Sequence, residues 1–483
     1  MTLQKALLRC LADIRPFSRY VVGRELRPYQ LEPARAILDS VLHCRGLTFA
    51  IVMARQAGKN ELSAQVEAYL LVLYHRVAGA TIVKAAPTFR PQAAISLRRL
   101  RDCLSAFPQS LQSIEDGHIV CFGRAQVHFL SAHPQAHVVG QTASLLLECD
   151  EAQDVDPSKW DKEFAPMAAS TNATTVFYGT AWTSNTLLSH QVRALHRLEA
   201  ADGIRRVFVA DAEAVATQVP AYRDYVNAEI ARLGRQHPMI RTQYFLEEID
   251  QEAQMFPPAR QETMRGTHPR QTRPIAPGQM VAFLLDVAGG DETILQRPTQ
   301  LGLPDLGPVR RDSTALTIVA VEPPTGITAL PTYRVLDRRR WTGVGQPTLY
   351  AALTDLAETW HPRWIVVDAT GIGAGLSGFL TARYPRQVIP YAFNLATKSD
   401  LGWGFLAVVD SGRYKEYADD GAPDTAQFWR EVQAAQAEVL PGPARRMRWG
   451  VADPAVHDDL LVSAALCARL DEVDWRPRVA VGE

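Results

Sequence analysis

The chain has 483 residues, of which 47% are hydrophobic and 21% charged, and a formal net charge of -1. That length is more than one ordinary core uses and predicts two domains of roughly 200–250 residues, while the balance of apolar to charged residues excludes a disordered chain. A near-neutral charge excludes a broadly basic nucleic-acid binder, so any DNA contact has to be local.

The first half alternates apolar runs with helix-length segments. LTFAIVMA (47–54), ATIVKAAP (80–87), QVHFLSA (126–132), SLLLECD (144–150) and TTVFYGTA (174–181) read as buried strands of a parallel sheet. A polar helical stretch follows at 222–250. The segment PPARQETMRGTHPRQTRPIAPGQ (257–279) lacks periodicity and is expected to be a linker. The second half restarts with VAFLLDV (281–287), TALTIVAV (314–321) and TYRVLD (332–337). A helix, the strand RWIVVD (363–368), another helix and the strand QVIPYAF (387–393) come next. Three strands in succession, then helix and strand in alternation, predict an α/β fold with a mixed sheet. The expected domains are therefore 1–256, with 200–250 as a helical lid or linker subdomain, and 280–483.

No run approaches the roughly 20 apolar residues that span a bilayer, and the start lacks a signal-peptide core. The six cysteines (Cys10, Cys44, Cys103, Cys121, Cys149, Cys467) form no CxxC pair and read as reduced, mostly packed thiols. Basic clusters at Arg98, Arg99 and Arg101, at Arg338 to Arg340, and at Arg445, Arg446 and Arg448 read as solvated faces.

Two sets of residues carry chemistry. The strand ending at Ala54 leads into Arg55, Gln56, Ala57, Gly58, Lys59 and Asn60 and then an apolar helix. A strand, a tight Gly-Lys turn and a helix present backbone N–H groups and a helix N-terminus to an anion, with Lys59 reaching the outer phosphates of ATP. The loop departs from GxxxxGK[ST]: Met53 replaces the first glycine and Asn60 the final hydroxyl, so magnesium is held differently here or through water. A plain strand-to-helix turn is the alternative. Asp150 and Glu151 end a later apolar strand, where the first carboxylate can hold Mg²⁺ and the second can orient the attacking water; capping of the next helix is the alternative. Tyr29 and Gln30 precede the loop where helicase-like ATPases read adenine, and Thr180, at the end of the next strand, can sense the γ-phosphate.

In the second half, Asp286 and Asp368 end strands, and Asp458 with Asp459 opens a late helix. Carboxylates from separate strands and a helix can gather two divalent ions about 4 Å apart for phosphodiester cleavage. Strand-end turns and helix capping are the ordinary alternatives. Asp312 and Asp291 are weaker candidates of the same kind, and Lys398 is either a phosphate contact or a surface lysine.

AAPTFRPQA, VVGQTASLLLECDEAQDV and ARQAGKN resemble the ATPase of tailed-phage terminase large subunits, and DVAGGDE, RRDSTALTIV, VVDATGIGAGL and the HDD helix resemble their nuclease. The resemblance implies an N-terminal RecA/P-loop-type parallel-sheet ATPase followed by a C-terminal RNase H-like mixed-sheet nuclease. It implies metal binding by Asp286, Asp368 and one or both of Asp458 and Asp459, with Mg²⁺ or Mn²⁺. It gives the GTAWT segment (Gly179 to Thr183) a coupling role, and an arginine finger for which Arg55, Arg90 and Arg124 are candidates, since Val139 stands where some members have arginine. Its implied partners are double-stranded DNA, a portal protein, a small terminase subunit and further copies in a ring on the procapsid. The implied setting is the cytoplasm of an infected bacterial host, during bacteriophage genome packaging. A superfamily-2-type helicase would carry a second ATPase lobe in place of the acidic set, and a degenerate prophage portal-binding protein would keep the fold without the chemistry.

Overall fold

The computed structural model describes residues 9–136, 138, 140–235, 237–249, 254–275, 278–288, 313–324, 330–440, 446–451, 453 and 456–473. The chain divides into two compact units. The first covers Met1–Ala228 and Met239–Asp250, and the second Gln251–Leu440 and Arg445–Glu483; the short stretches Glu229–Pro238 and Pro441–Ala444 group with the second and first respectively.

The first unit is built on an eight-stranded sheet in the order β3-β4-β5-β2-β6-β7-β1-β8. Its strands are β1 (Thr48–Met53), β2 (Thr81–Ala86), β3 (Gln112–Glu115), β4 (Ile119–Phe122), β5 (Ala125–Ser131), β6 (Leu146–Cys149), β7 (Thr174–Gly179) and β8 (Val207–Ala210). From β5 to β8 all neighbours are parallel, as the continuous apolar runs predict, because both faces of such strands are covered. The hairpins β3-β4 and β4-β5 are antiparallel. Residues 200–250 differ from the helical expectation: Val207–Ala210 pairs with β1 as an edge strand, so this stretch completes the sheet. β7 lies between β1 and β6, which separates the Gly-Lys strand from the Asp150 strand by one strand.

The second unit holds a six-stranded mixed sheet in the order β13-β12-β9-β10-β11-β14. These strands are β9 (Val281–Asp286), β10 (Ser313–Glu322), β11 (Thr332–Thr342), β12 (Trp364–Asp368), β13 (Val388–Tyr391) and β14 (Tyr414–Lys415), and a separate hairpin joins β15 (Ala435–Val439) to β16 (Met447–Val451). β9, β10 and β11 run antiparallel, and β12 and β13 add in parallel beside β9. The predicted meander followed by alternating helices and strands is borne out.

Alternation along β9 fixes the layers. Val281, Phe283 and Leu285 pack on one face, with the helices Gln346–Trp360 and Gly373–Arg383. Ala282 and Leu284 face the other core, with the helices Leu395–Asp410, Pro423–Ala434 and Asp459–Ala465. The segment read as a linker supplies the helix Pro258–Met264, whose Met264 joins that second core together with Met255 and Phe256. Its apolar side chains are too few for a periodic signal, yet they are enough to dock it.

Arg338 overturns one sequence expectation. Instead of lying on a solvated face it is fully buried on β11, paired with Glu416, bonded to Thr317 Oγ1 at 3.0 Å and to Tyr414 Oη at 2.8 Å, with the guanidinium 3.7 Å from the centre of the Phe428 ring. The charge is tolerated because both terminal nitrogens meet acceptors and the guanidinium face meets a ring. All six cysteines are free, and Cys103, Cys121, Cys149 and Cys467 are buried. Among the described residues no helix is long and apolar enough to cross a membrane.

Candidate functional site

In the first unit the chain leaves β1 and turns through Gln56 (φ 61) and Gly58 (φ 95) before the helix Lys59–Tyr74 begins. Gly58 is required twice over. Its left-handed backbone disfavours a side chain, and a Cβ there would meet Gln30 Nε2 at 2.6 Å. Tyr29 and Gln30, expected to read adenine, hold the loop itself: Tyr29 Oη donates to Ala57 O at 2.8 Å and Gln30 Nε2 to Gly58 O at 3.0 Å. Tyr222 Oη, from the stretch read only as helical, donates to Arg55 O at 2.7 Å. Arg55 and Gln56 are exposed, Ala57 is buried and Asn60 is half-buried.

Lys59 is buried, and its ammonium donates to two neutral oxygens, Met53 O at 3.1 Å and Thr180 Oγ1 at 2.9 Å. A desolvated cation held by neutral acceptors at a helix N-terminus matches the charge of a phosphate. Across β7, Asp150 is buried and accepts from Ser96 Oγ at 3.2 Å and from Glu151 N at 3.1 Å. Burial raises its pKa, and the positive charges of Lys84 and Lys59 oppose that rise. Glu151 occupies a left-handed conformation (φ 47), and its carboxylate accepts from Gln153 Nε2 at 2.7 Å. Gln153 Oε1 in turn accepts from Thr180 N at 3.0 Å. One amide therefore links the end of β6 to the end of β7, and Thr180 carries the link on to Lys59. Gln153 was visible in the DEAQ stretch, but its role depends on Thr180 being a spatial neighbour. Ser96 carried no local signal at all.

The arginine candidates stand at separate points of the chain. Arg55, Arg90 and Arg124 are all exposed. Arg124 sits in the turn before β5, where its N–H bonds His75 O, so it stands beyond the far end of the helix that Lys59 begins.

In the second unit, β9 and β12 are parallel neighbours with Leu285 opposite Val367, so Asp286 and Asp368 end adjacent strands in register. By the period-two rule both share the face of Leu284 and Val366, which is the face the helix Asp459–Ala465 covers. Ser463 pins that helix through contacts of 2.8 Å to Leu284 O and to Thr317 Oγ1. Asp458 occupies the N-cap position but makes no cap hydrogen bond; its carboxylate accepts from Lys398 Nζ at 3.5 Å instead. Burial drives the Asp286 pKa well up, and the negative charges of Asp459, Asp368 and Asp458 drive it further, against the pull of Lys398. Asp368 is raised by burial and partly relieved by the Thr370 N–H at 2.8 Å.

A buried carboxylate raised by three neighbouring ones suits a hard divalent cation. Among the described residues no three Asp, Glu, His or Cys side chains already stand at coordinating spacing. Lys398 is half-exposed, as for a surface lysine, but it points at the acidic group, over the ring of Trp449. Asp291 and Asp312 lie outside the described residues.

No protein-family model matches the sequence, and no curated protein is detectably similar to it. Among solved structures, the large terminase of bacteriophage HK97 aligns at 15% identity and a TM-score of 0.40, over 97% of this chain and 99% of that one. The large terminase of a thermophilic bacteriophage in complex with ADP aligns at 11% and 0.44, over 91% and 98%. The large terminase nuclease of the thermophilic phage G20c with bound magnesium aligns at 14% and 0.33, over 45% of this chain and 97% of that one. Likeness this distant assigns neither residues nor activity, and the functional reading rests on the two sites.

Proposed function

We propose that the chain is the large subunit of a viral DNA-packaging terminase, an ATPase that drives double-stranded DNA into a procapsid and a metal-dependent endonuclease that cuts the concatemer. The observation that carries this reading is Lys59, a buried ammonium that donates to two neutral oxygens at the start of its helix, with Asp150 and Glu151 at the end of the next strand but one.

In the first unit Lys59 and the N–H groups that open its helix would bind the outer phosphates of ATP, and Asp150 would hold Mg²⁺, which when bound neutralises phosphate charge. Glu151 orients the attacking water. Gln153 keeps Glu151 in place and reports its position to Thr180, where the GTAWT segment leaves the sheet. Tyr29 and Gln30 shape the loop from behind, so any contact they make with the base is in addition to this. In the second unit Asp286, Asp368 and one or both of Asp458 and Asp459 would hold divalent ions, Mg²⁺ or Mn²⁺, which when bound activate water and stabilise the leaving oxygen. Lys398 steadies Asp458 and offers a cation to the DNA backbone. The partners in this reading are DNA, a portal protein, a small terminase subunit and other copies of the chain in a ring. The arginine acting on the phosphate would come from a neighbouring copy.

The test is DNA-stimulated phosphate release by the purified full-length chain. Lys59→Ala is expected to lower it by about a hundredfold or more, because the lost charge acts on the transferred phosphate. Absence of turnover in the wild-type chain, with or without DNA, would sink the motor reading.

A further inference from the structure

Behind the nucleotide site lies a second group of charges that takes no part in the chemistry described above. Lys84, Glu67 and Glu148 are 1% exposed or less. Lys84 Nζ donates to Glu67 Oε1 at 3.0 Å and to Ser63 Oγ, and lies 3.6 Å from Glu148 Oε2. Glu148 also accepts from Ser63 Oγ at 3.0 Å and from Tyr178 Oη at 2.9 Å.

Such a cluster is a poor source of stability. Burying three charges costs several kcal/mol each before pairing, and apolar replacements of whole buried ion groups are often neutral or stabilising. Its placement suggests another role. Lys59, Ser63 and Glu67 are four residues apart along one stripe of the same helix. Lys84 and Glu148 are direct register partners on β2 and β6, and Glu148 precedes Asp150 by two residues on the same face. Tyr178 precedes Thr180 by two residues on β7. Three members of the cluster are therefore one structural repeat, or two along the helix, from a residue of the site: Glu67 from Lys59, Glu148 from Asp150, Tyr178 from Thr180.

We propose that Lys84 is a positioning residue of the nucleotide site, a buried cation that locks the helix beginning at Lys59 to the strand ending before Asp150 through Ser63, Glu67 and Glu148. This rests on the reading of the first unit as an ATPase. The electrostatics agree with the geometry. Burial works against the Lys84 charge, but Glu67, Glu148 and Asp150 outweigh it and raise its pKa. Burial, reinforced by Glu148 and opposed by Lys84, pushes the Glu67 carboxyl well above its ordinary value. Lys84 is also the leading positive charge acting on Asp150. A slip of the helix against β6 would change the separation of Lys59 from Asp150, and turnover is more sensitive than binding to such misplacement.

The test uses the full-length chain with Mg-ATP, with ADP as the binding probe. Lys84→Met removes the cation, and Lys84→Met/Glu148→Gln removes one charge of each sign while keeping an acceptor for Tyr178. The double variant is expected to melt like the wild type and to bind ADP within about threefold of it, yet to lose kcat by about tenfold or more at little-changed KM. A double variant with the wild-type melting point and the wild-type kcat would overturn the proposal, and so would one that fails to fold, since the cluster would then be needed for stability. Should the wild type itself turn over no ATP, the ATPase reading falls separately. Amide exchange in the folded double variant then decides: faster exchange over both 59–67 and 146–150 upholds the lock, and wild-type exchange in either segment removes it.

Discussion

The two sites handle charge in opposite ways. In the first unit each group already has a partner inside the protein: Lys59 has Thr180 and the Met53 carbonyl, Glu151 has Gln153, and Asp150 has Ser96. In the second, burial and the charges of Asp459, Asp368 and Asp458 raise the pKa of Asp286, and the charge of Lys398 moderates the rise. A site that must change shape through a reaction cycle profits from a preset polar network that transmits movement. A site that recruits metal profits from leaving negative charge uncompensated until the metal arrives. The difference between the sites is thus a difference between stored order and stored demand.

The largest effect that would break this comparison is on cleavage. Asp368→Asn keeps the Thr370 contact in shape but removes a ligand charge, and is expected to lower Mg²⁺-dependent plasmid nicking by about a hundredfold, with phosphate release unchanged. Parallel loss of both activities would mean that the units do not hold separate sites.

Stability gives a second handle. Glu431 accepts from Leu461 N at 2.9 Å and from Gln427 at 3.2 Å, and burial raises its pKa to about 8, the Asp459 charge adding to the rise. A carboxyl whose folded pKa lies above its unfolded one takes up a proton on folding. Its contribution is full below the unfolded value near 4.5 and is lost as pH climbs through about 8. Urea unfolding in chelator should show a decline of about 2–4 kcal/mol across that window, and Glu431→Gln should flatten it. An unchanged slope in the variant would show that the acidic unit carries no such stored demand at Glu431.

The smallest effect concerns Gly450, whose φ of 147 is a glycine conformation and whose added Cβ would lie 2.7 Å from Asp458 Oδ2. Gly450→Ala should displace the Asp458 carboxylate and cost about 1–2 kcal/mol in backbone strain. Nicking should fall severalfold while nucleotide turnover stays as it was. A variant that cuts at the wild-type rate would remove Asp458 from the ligand set in favour of Asp459.

Much of this was legible in the residues. The apolar runs ending in Ala54, Asp150 and Ala181 announced β1, β6 and β7, because a strand covered on both faces is apolar along most of its length. The order of a Gly-Lys loop, an Asp-Glu strand end and a later acidic set identified the candidate chemistry. Val207–Ala210 escaped notice as a four-residue edge strand among helices, too short for a pattern. The basic run at Arg338 misled, since the acceptors that permit its burial come from Glu416 and Thr317, far away in sequence.

The sequence by itself therefore determined which elements form and which residues are capable of acid, base or phosphate chemistry, because those properties are local to a side chain and its neighbours along the chain. Only the tertiary structure decided that β7 stands between the Gly-Lys strand and the Asp150 strand, that Gln153 reaches Thr180, that Asp286 and Asp368 end adjacent strands, and that Lys84 lies between Glu67 and Glu148. Those facts follow from crossover connections and register, which bring together groups separated by tens to hundreds of residues, and no local periodicity encodes them.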